Sequence, residues 1–431
     1  MVCAVNKIDS NVSGLRFAEE DCPKQLGATP TWYPAEPNSY PDFGAQYTLL
    51  ARDPINAERQ RLKGAVTDMD STGGWNTDVT ATNLRRLMQG FCFADERTAA
   101  SAGPVTLTGA TTTVDPNGLV TLKSTTITAN YFLPGEWLYV GSDTKKFGNT
   151  YGFARVASVV AGSAVLDKVQ WSTITPEATA TDIEIFRASI IRNEFDPNLI
   201  KRRTYQLERT LGNDANGQQA EYVVGACPNQ LTIQMQQANK VTADLAFVAM
   251  DADTRSGSQG IKSKDAGAIA PALVSEDMFN TSSDVTRINL AVVDKTNSKP
   301  KALFAFATDL SIVINNNISP NKAIGVLGAM DTTAGNFEVG GSVTAYFADV
   351  ASVAAVKNNA DVTLDFSVVK KGKGIVFDIP LLTLGNGRLQ VVQNQAIMIP
   401  LDTTAAKGQF GYTLGTFWFD KLPSIANKPA P

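Results

Sequence analysis

Short runs of alternating apolar and polar residues, each closed by Gly, Pro, Asn or Asp, recur along most of this chain, and that pattern builds sheets. In Gln230–Met235, Leu231, Ile233 and Met235 alternate with Thr232 and Gln234, which gives a strand one buried and one wet face. Similar runs are Tyr205–Arg209, Glu221–Val224, Val241–Val248, Leu303–Phe306, Ser311–Ile314 and Val343–Phe347. Further on come Val362–Val369, Gly374–Ile379, Leu389–Val392, Gln395–Leu401 and Gly411–Phe419. Only two helices are expected. One runs over Val79–Gln89, with Asp78 as cap and Gly90 as stop; the other covers Val350–Lys357 between Asp349 and Asn358-Asn359. The fold class is mainly β, with antiparallel sheets. No fixed-period repeat is visible.

Composition removes whole classes of function. The chain has 431 residues and no histidine, so serine triads, cysteine–histidine dyads and histidine-ligated metals are excluded. Its 38 basic and 42 acidic residues leave a net charge of −4, which disfavours a surface that grips nucleic-acid phosphates. Cys3, Cys22, Cys92 and Cys227 show neither a C-x-x-C pair nor metal-site spacing, and read as small apolar residues in a reducing compartment. Met1–Glu20 mixes Lys7, Asp9, Arg16, Glu19 and Glu20 without an apolar run, so no secretory leader is expected. Nor does any stretch reach the ~18 apolar residues of a membrane span.

Four regions follow from local composition. Residues 1–45 carry Pro23, Pro30, Pro34, Pro37 and Pro41 among Trp32, Tyr33, Tyr40 and Phe43, which predicts an extended arm docked through its aromatics. Residues 46–100 and 189–431 form the β core, with a turn expected at Gly73-Gly74. Between them, 101–188 is rich in Thr, Val, Gly and Ala with turns every ten or so residues, and reads as an inserted small all-β domain. Its self-contained strands suggest that deleting 103–186 leaves the core folded. Residues 251–299 form a long polar, glycine-punctuated excursion, too long for an ordinary loop and expected to be mobile in a lone subunit.

Catalytic candidates are thin. Asp68 with Asp70 and Asp251 with Asp253 are D-x-D pairs that do not continue into a calcium loop. Lys370-Lys371-Gly372-Lys373-Gly374 joins two β runs and reads as a solvated hairpin turn instead of a phosphate loop. Asn280-Thr281-Ser282 matches a glycosylation acceptor that has no secretory context. These residues predict a non-enzymatic β protein with no metal and no cofactor.

Two stretches carry a resemblance. The first runs from Asp53-Pro54-Ile55 through Arg59–Gly64 and Asp70-Ser71-Thr72-Gly73-Gly74-Trp75-Asn76-Thr77-Asp78 to Leu87–Phe91. The second is Asp349–Leu401, with a helix, a strand, a Lys/Gly turn, Ile375–Pro380 and Asn386-Gly387. In that order, with Tyr205–Met250 between, they resemble the major tail tube proteins of long, non-contractile-tailed bacteriophages. The resemblance implies an antiparallel β-sandwich with a flanking helix, assembled as stacked hexameric rings around a channel for double-stranded DNA. It implies a virion protein, assembled in the host bacterial cytoplasm without membrane insertion. Its partners would be other copies of itself, a tape-measure protein, and tail terminator or tail-tip proteins. The acidic balance suits a lumen in which DNA slides, because B-DNA carries about one charge per 1.7 Å of axis and a basic wall would hold it. Expected inter-subunit contacts are Trp32, Tyr33 and Tyr40 of the arm, and Asp251, Arg255, Lys262 and Lys264 of the excursion, the latter between rings. Two other readings remain at this stage: a β-rich capsid or decoration protein, and a carbohydrate-binding tail-tip protein.

Overall fold

The computed structural model describes residues 13–427 apart from 41, 54, 56, 58–59, 98–102, 149, 172–173, 215–216, 265–267, 269–275, 294–299 and 305. Strands dominate. The first group is β1 (Gly14–Glu19), β2 (Tyr33–Ala35), β3 (Pro37–Ser39), β4 (Gly44–Ala51) and β5 (Gly64–Asp78), followed by α1 (Arg85–Phe91). Then come β6 (Val105–Val114), β7 (Val120–Lys123), β8 (Trp137–Val140), β9 (Gly152–Val160), β10 (Ser163–Val169) and β11 (Glu177–Arg187), which close into a six-stranded barrel. The chain re-enters the main sheets with β12 (Ser189–Arg192), β13 (Tyr205–Asp214), β14 (Gly217–Gln236), β15 (Val241–Ala249) and β16 (Asp251–Arg255). A last group holds β17 (Val285–Val292), β18 (Lys301–Ala302), β19 (Ala307–Asn315), β20 (Ser319–Lys322), β21 (Ala329–Thr333) and β22 (Glu338–Tyr346). It ends with α2 (Ala351–Lys357), β23 (Val362–Lys370), β24 (Lys373–Asn386), β25 (Met398–Ala406) and β26 (Gly415–Phe419). Among the described residues no helix is long and apolar enough to cross a membrane.

The pairings repeat. In the first unit β1 pairs with β2 and β13, β13 with β14, β14 with β15 and β16, and β15 with β5, which pairs with β4. In the second, β17 pairs with β18 and β23, β23 with β24, β24 with β25 and β26, and β25 with β22, which pairs with β19. Every pairing is antiparallel in both. Each unit also places its helix between corresponding strands: α1 lies between β5 and β13, α2 between β22 and β23. The chain is thus two copies of one β-sandwich unit, a repeat that no sequence period betrays. They merge where β14 takes β19 along Gln230–Gln236, and again where β12 pairs with β26. Their apolar faces form one core, from Trp75, Phe91 and Phe247 in the first unit to Phe366, Phe377 and Trp418 in the second.

Several local expectations change against this frame. Gly73-Gly74 is no turn but lies inside β5; a Cβ on Gly73 would come within 2.4 Å of the Leu207 side chain. Glycine here admits the facing sheet, not a reversal. Its counterpart in β22 is Gly341, at φ 145°, where a Cβ would sit 1.9 Å from the Ser311 carbonyl oxygen. Gly341→Ala should therefore cost about 3 kcal/mol or more, read as a lowered urea midpoint, since the neighbour is backbone that cannot swing aside. Helix α1 starts six residues later than its pattern suggests. Asp78 remains in β5, and the intervening turn is closed by Thr80 and Asn83, each side chain accepting from the other's backbone N–H at 3.0 and 3.3 Å. In α2, by contrast, Asp349 accepts from Ala351 N–H at 2.8 Å, and Asn359 ends the helix at φ 46°.

The described part of the proline-rich segment is woven into its own subunit. β1 lies between β13 and β2, and Pro34 and Pro37 sit in short strands flanking the sheet, where a missing N–H is tolerated. Within 251–299 the structure finds two sheet strands, β16 on β14 and β17 on β23, with Leu290 and Ala291 buried. Polar composition concealed β17 because Thr286, Arg287 and Asn289 alternate with its apolar positions and are used in hydrogen bonds.

The barrel has its own core, including Leu107, Leu122, Phe132, Val156, Trp171 and Ile183. A second cluster joins it to the sandwich: Trp137, Tyr139, Phe153 and Phe186 pack with Ile190, Val376, Tyr412, Phe417 and Phe419. Charges cross the same joint. Arg155 of β9 binds Asp167 at 2.8 Å and Asp378 of β24 at 3.0 Å, while Lys168 of β10 reaches Asp365 of β23 at 2.6 Å. Arg287 of β17 is the second partner of Asp365. Burial alone would raise the Asp365 pKa, but Arg287 and Lys168 hold its carboxyl well below the usual carboxylate range.

Candidate assembly surface

The residues with chemical potential are occupied by one another. Asp68 and Asp70 both accept from Lys322 of β20, at 2.5 and 2.6 Å, and the Lys322 hydrogen bond holds the Asp68 carboxyl low. Asp253 faces Arg255 at 3.1 Å and Lys262 at 3.4 Å, and Asp251 faces Lys24 at 3.7 Å. The Lys370–Gly374 run is a two-residue hairpin turn, with Lys371 at φ 50° and Gly372 at φ 75°. Its lysines clasp the preceding segment: Lys370 binds Asp284 at 2.9 Å, Lys373 binds Glu276 at 2.9 Å, and Lys371 pairs with Asp277. A cleft of about 210 Å³ at the barrel joint is lined by Arg155, Asp167 and Lys168, all engaged in the ion pairs above. Among the described residues no cluster of three or more Cys, Asp or Glu could hold a metal ion.

The aromatic residues of the arm lie within the subunit. Trp32 is fully buried with Ala18, Ala220, Tyr222 and Ile261. Tyr33 lies under the Arg86 guanidinium, 4.1 Å from its ring centroid, and Tyr40 packs edge-on to Phe43 beneath Arg209. Lys262 sits over the Tyr222 ring and bonds Gln206 at 3.2 Å, while Arg255 also donates to the Gly260 carbonyl at 3.3 Å. The Lys264 side chain and Asp265 lie outside the described residues.

What the fold leaves unsatisfied is backbone edge and apolar surface. Among the described residues, β3 and β4 pair with β5 on one side and with no strand on the other. On β24, β23 stops at Leu382 and β25 continues to Asn386, so one edge from Thr383 onward is open among the described residues. Open edges of this kind are templates for another chain. Nearby apolar side chains are exposed: Tyr47, Leu49 and Leu50 on β4, Val66 on β5, and Val391 and Val392 beyond β24, with Leu50 at 68 %. The β20–β21 hairpin adds Ile324, Val326, Leu327 and Met330. Exposed apolar surface of this extent marks a candidate contact surface.

Sequence reasoning had no means of finding these edges, because they are properties of pairing and not of residue type. The comparison with known families decides what kind of protein carries them. A family model described as phage tail tube protein matches residues 10–405. The chain belongs to the phage tail tube protein family. It is therefore a structural component of a phage tail. No curated protein matches the chain.

Proposed function

We propose that this tail tube protein closes head to tail into rings that stack into the tube of a long, non-contractile phage tail, guiding double-stranded DNA into the host. The observation that carries the reading is the pair of open edges on one chain, β3–β4 and the end of β24, beside exposed apolar hairpins. Two different surfaces that fit each other make a heterologous contact, which closes into a ring, and stacked rings make a tube. The resemblance to other tail tubes implies hexameric rings, with six positions around the channel. The β4–β5 and β20–β21 hairpins, tied together through Lys322, Asp68 and Asp70, are the arms that reach the adjacent ring. The lumen needs no base recognition; a net charge of −4 keeps DNA from adhering. Tape-measure and terminator proteins would meet the inside and the end of this tube.

Negative-stain imaging of concentrated purified protein tests this. Tubes or stacked rings are expected. Closed shells would favour a capsid or decoration role, and monomers with glycan affinity a tail-tip adhesin.

A further inference from the structure

We infer that the contact between neighbouring chains copies the β14–β19 junction inside each chain, so that the tube wall contains twice as many sandwich units as chains. The inference rests on the ring reading above and concerns how the ring is filled. Seven pairings recur in both units, and among the described residues one junction joins strands of the repeat itself, β19 of the second unit on the outer edge of β14 of the first; the β12–β26 pairing uses a strand outside the repeat. By the repeat, β14 corresponds to β24, and β19 corresponds to the strand beside β5, formed by β3 and β4. Those are the two edges left open. The second unit therefore offers β24 to a strand it lacks, and the first offers β4 to a strand it lacks. A second copy of the chain supplies both, in the geometry already realised within each subunit.

The register of the contact can be counted. Asp78 opposite Thr242 corresponds to Tyr346 opposite Met398, each ending the strand before its helix. Eight residues back on each strand, Asp70 faces Gln46 and Glu338 faces Asn315. Asn315 faces Gln230 across the internal junction, and Gln230 faces Ala246. The counterpart of Ala246 is Asp402, which faces Gly385. Gln46 of one chain is thus placed opposite Gly385 of the next. The barrel gives an independent marker, because it interrupts only the first unit, between α1 and β13; α2 leads directly into β23. A ring has one barrel for every two wall units. If six positions surround the channel, three chains and three barrel lobes fill them.

The test uses a variant with Gln46→Cys and Gly385→Cys, in which Cys3 and Cys22 are replaced by serine, assembled and mildly oxidised, alongside mass determination and end-on imaging of rings. The inference expects disulfide-linked ladders up to the ring's copy number, absent from either single-cysteine variant, and half as many chains and lobes as wall units. Rings with as many chains as wall units, or rings without the cross-link, overturn it while the tube reading stands. Failure of the unmodified chain to form any ring or tube overturns both.

Discussion

Deletion of residues 103–186 with a short linker should yield aggregated or unfolded protein. The strand pattern alone suggests a separable inserted domain, but the joint seen in the structure argues otherwise. Trp137, Tyr139, Phe153 and Phe186 are all buried in one cluster with Val376, Phe417 and Phe419 of the sandwich, and the Phe153 ring packs on Phe419 at 5.3 Å. Burial of such side chains stabilises by roughly 1.5–3 kcal/mol each, and the loss falls on a protein whose whole margin is about 5–15 kcal/mol. Deletion also leaves Val376, Phe417, Phe419 and Leu422 as a new apolar surface. Expression of the deleted chain, followed by size exclusion and circular dichroism, checks this. A soluble, folded remainder would show that the barrel is dispensable.

Asp365→Ala should destabilise the intact chain by about 3–5 kcal/mol, because it strands a buried cation. Lys168 is 1 % exposed and donates to Asp365 and to the Thr363 hydroxyl, each at 2.6 Å; its other carboxylate, on Asp378, is 3.7 Å away. Arg287 loses the same partner. Asp365→Asn retains a hydrogen-bond acceptor and should cost less. The two variants therefore separate lost charge from lost shape in a urea titration. The pH dependence has a definite sign. The folded state depresses the Asp365 pKa below its ordinary value near 3.9, so its contribution is complete at neutral pH and is lost progressively as pH falls below about 4. That part of the acid limb should be missing in Asp365→Ala.

Much of the secondary structure was legible because alternation reports a half-buried strand directly. The two-residue turn at Lys371-Gly372, the helix over Ala351–Lys357 and the self-contained strands of the barrel all follow from local residue chemistry. The duplication did not, for two physical reasons. The barrel separates α1 from β13 in one unit, whereas α2 and β23 are almost adjacent, so no constant spacing survives. Corresponding positions also share strand pairing and little else: Gly73 matches Gly341, but Trp75 matches Val343 and Phe247 matches Thr403. Glu221–Val224 and Gln230–Met235 looked like separate runs for a similar reason. Gly225 and Pro228 interrupt the pattern, yet both lie within the single strand β14, which passes from one sheet to the other there. The aromatic arm signals docking but carries no information on which surface receives it. Trp32 is buried in its own subunit, and the edges that lack partners contain ordinary Gly, Thr and Leu residues.

In the assembly proposed above, neighbouring subunits join through strand edges. A reconstruction of the assembled tube, resolved well enough to trace strands, tests it most directly. The account predicts a continuous antiparallel sheet crossing each chain boundary, with β4 of one copy beside the end of β24 of the next. Chains that meet through their barrels or hairpins, with both edges still facing solvent, would contradict it.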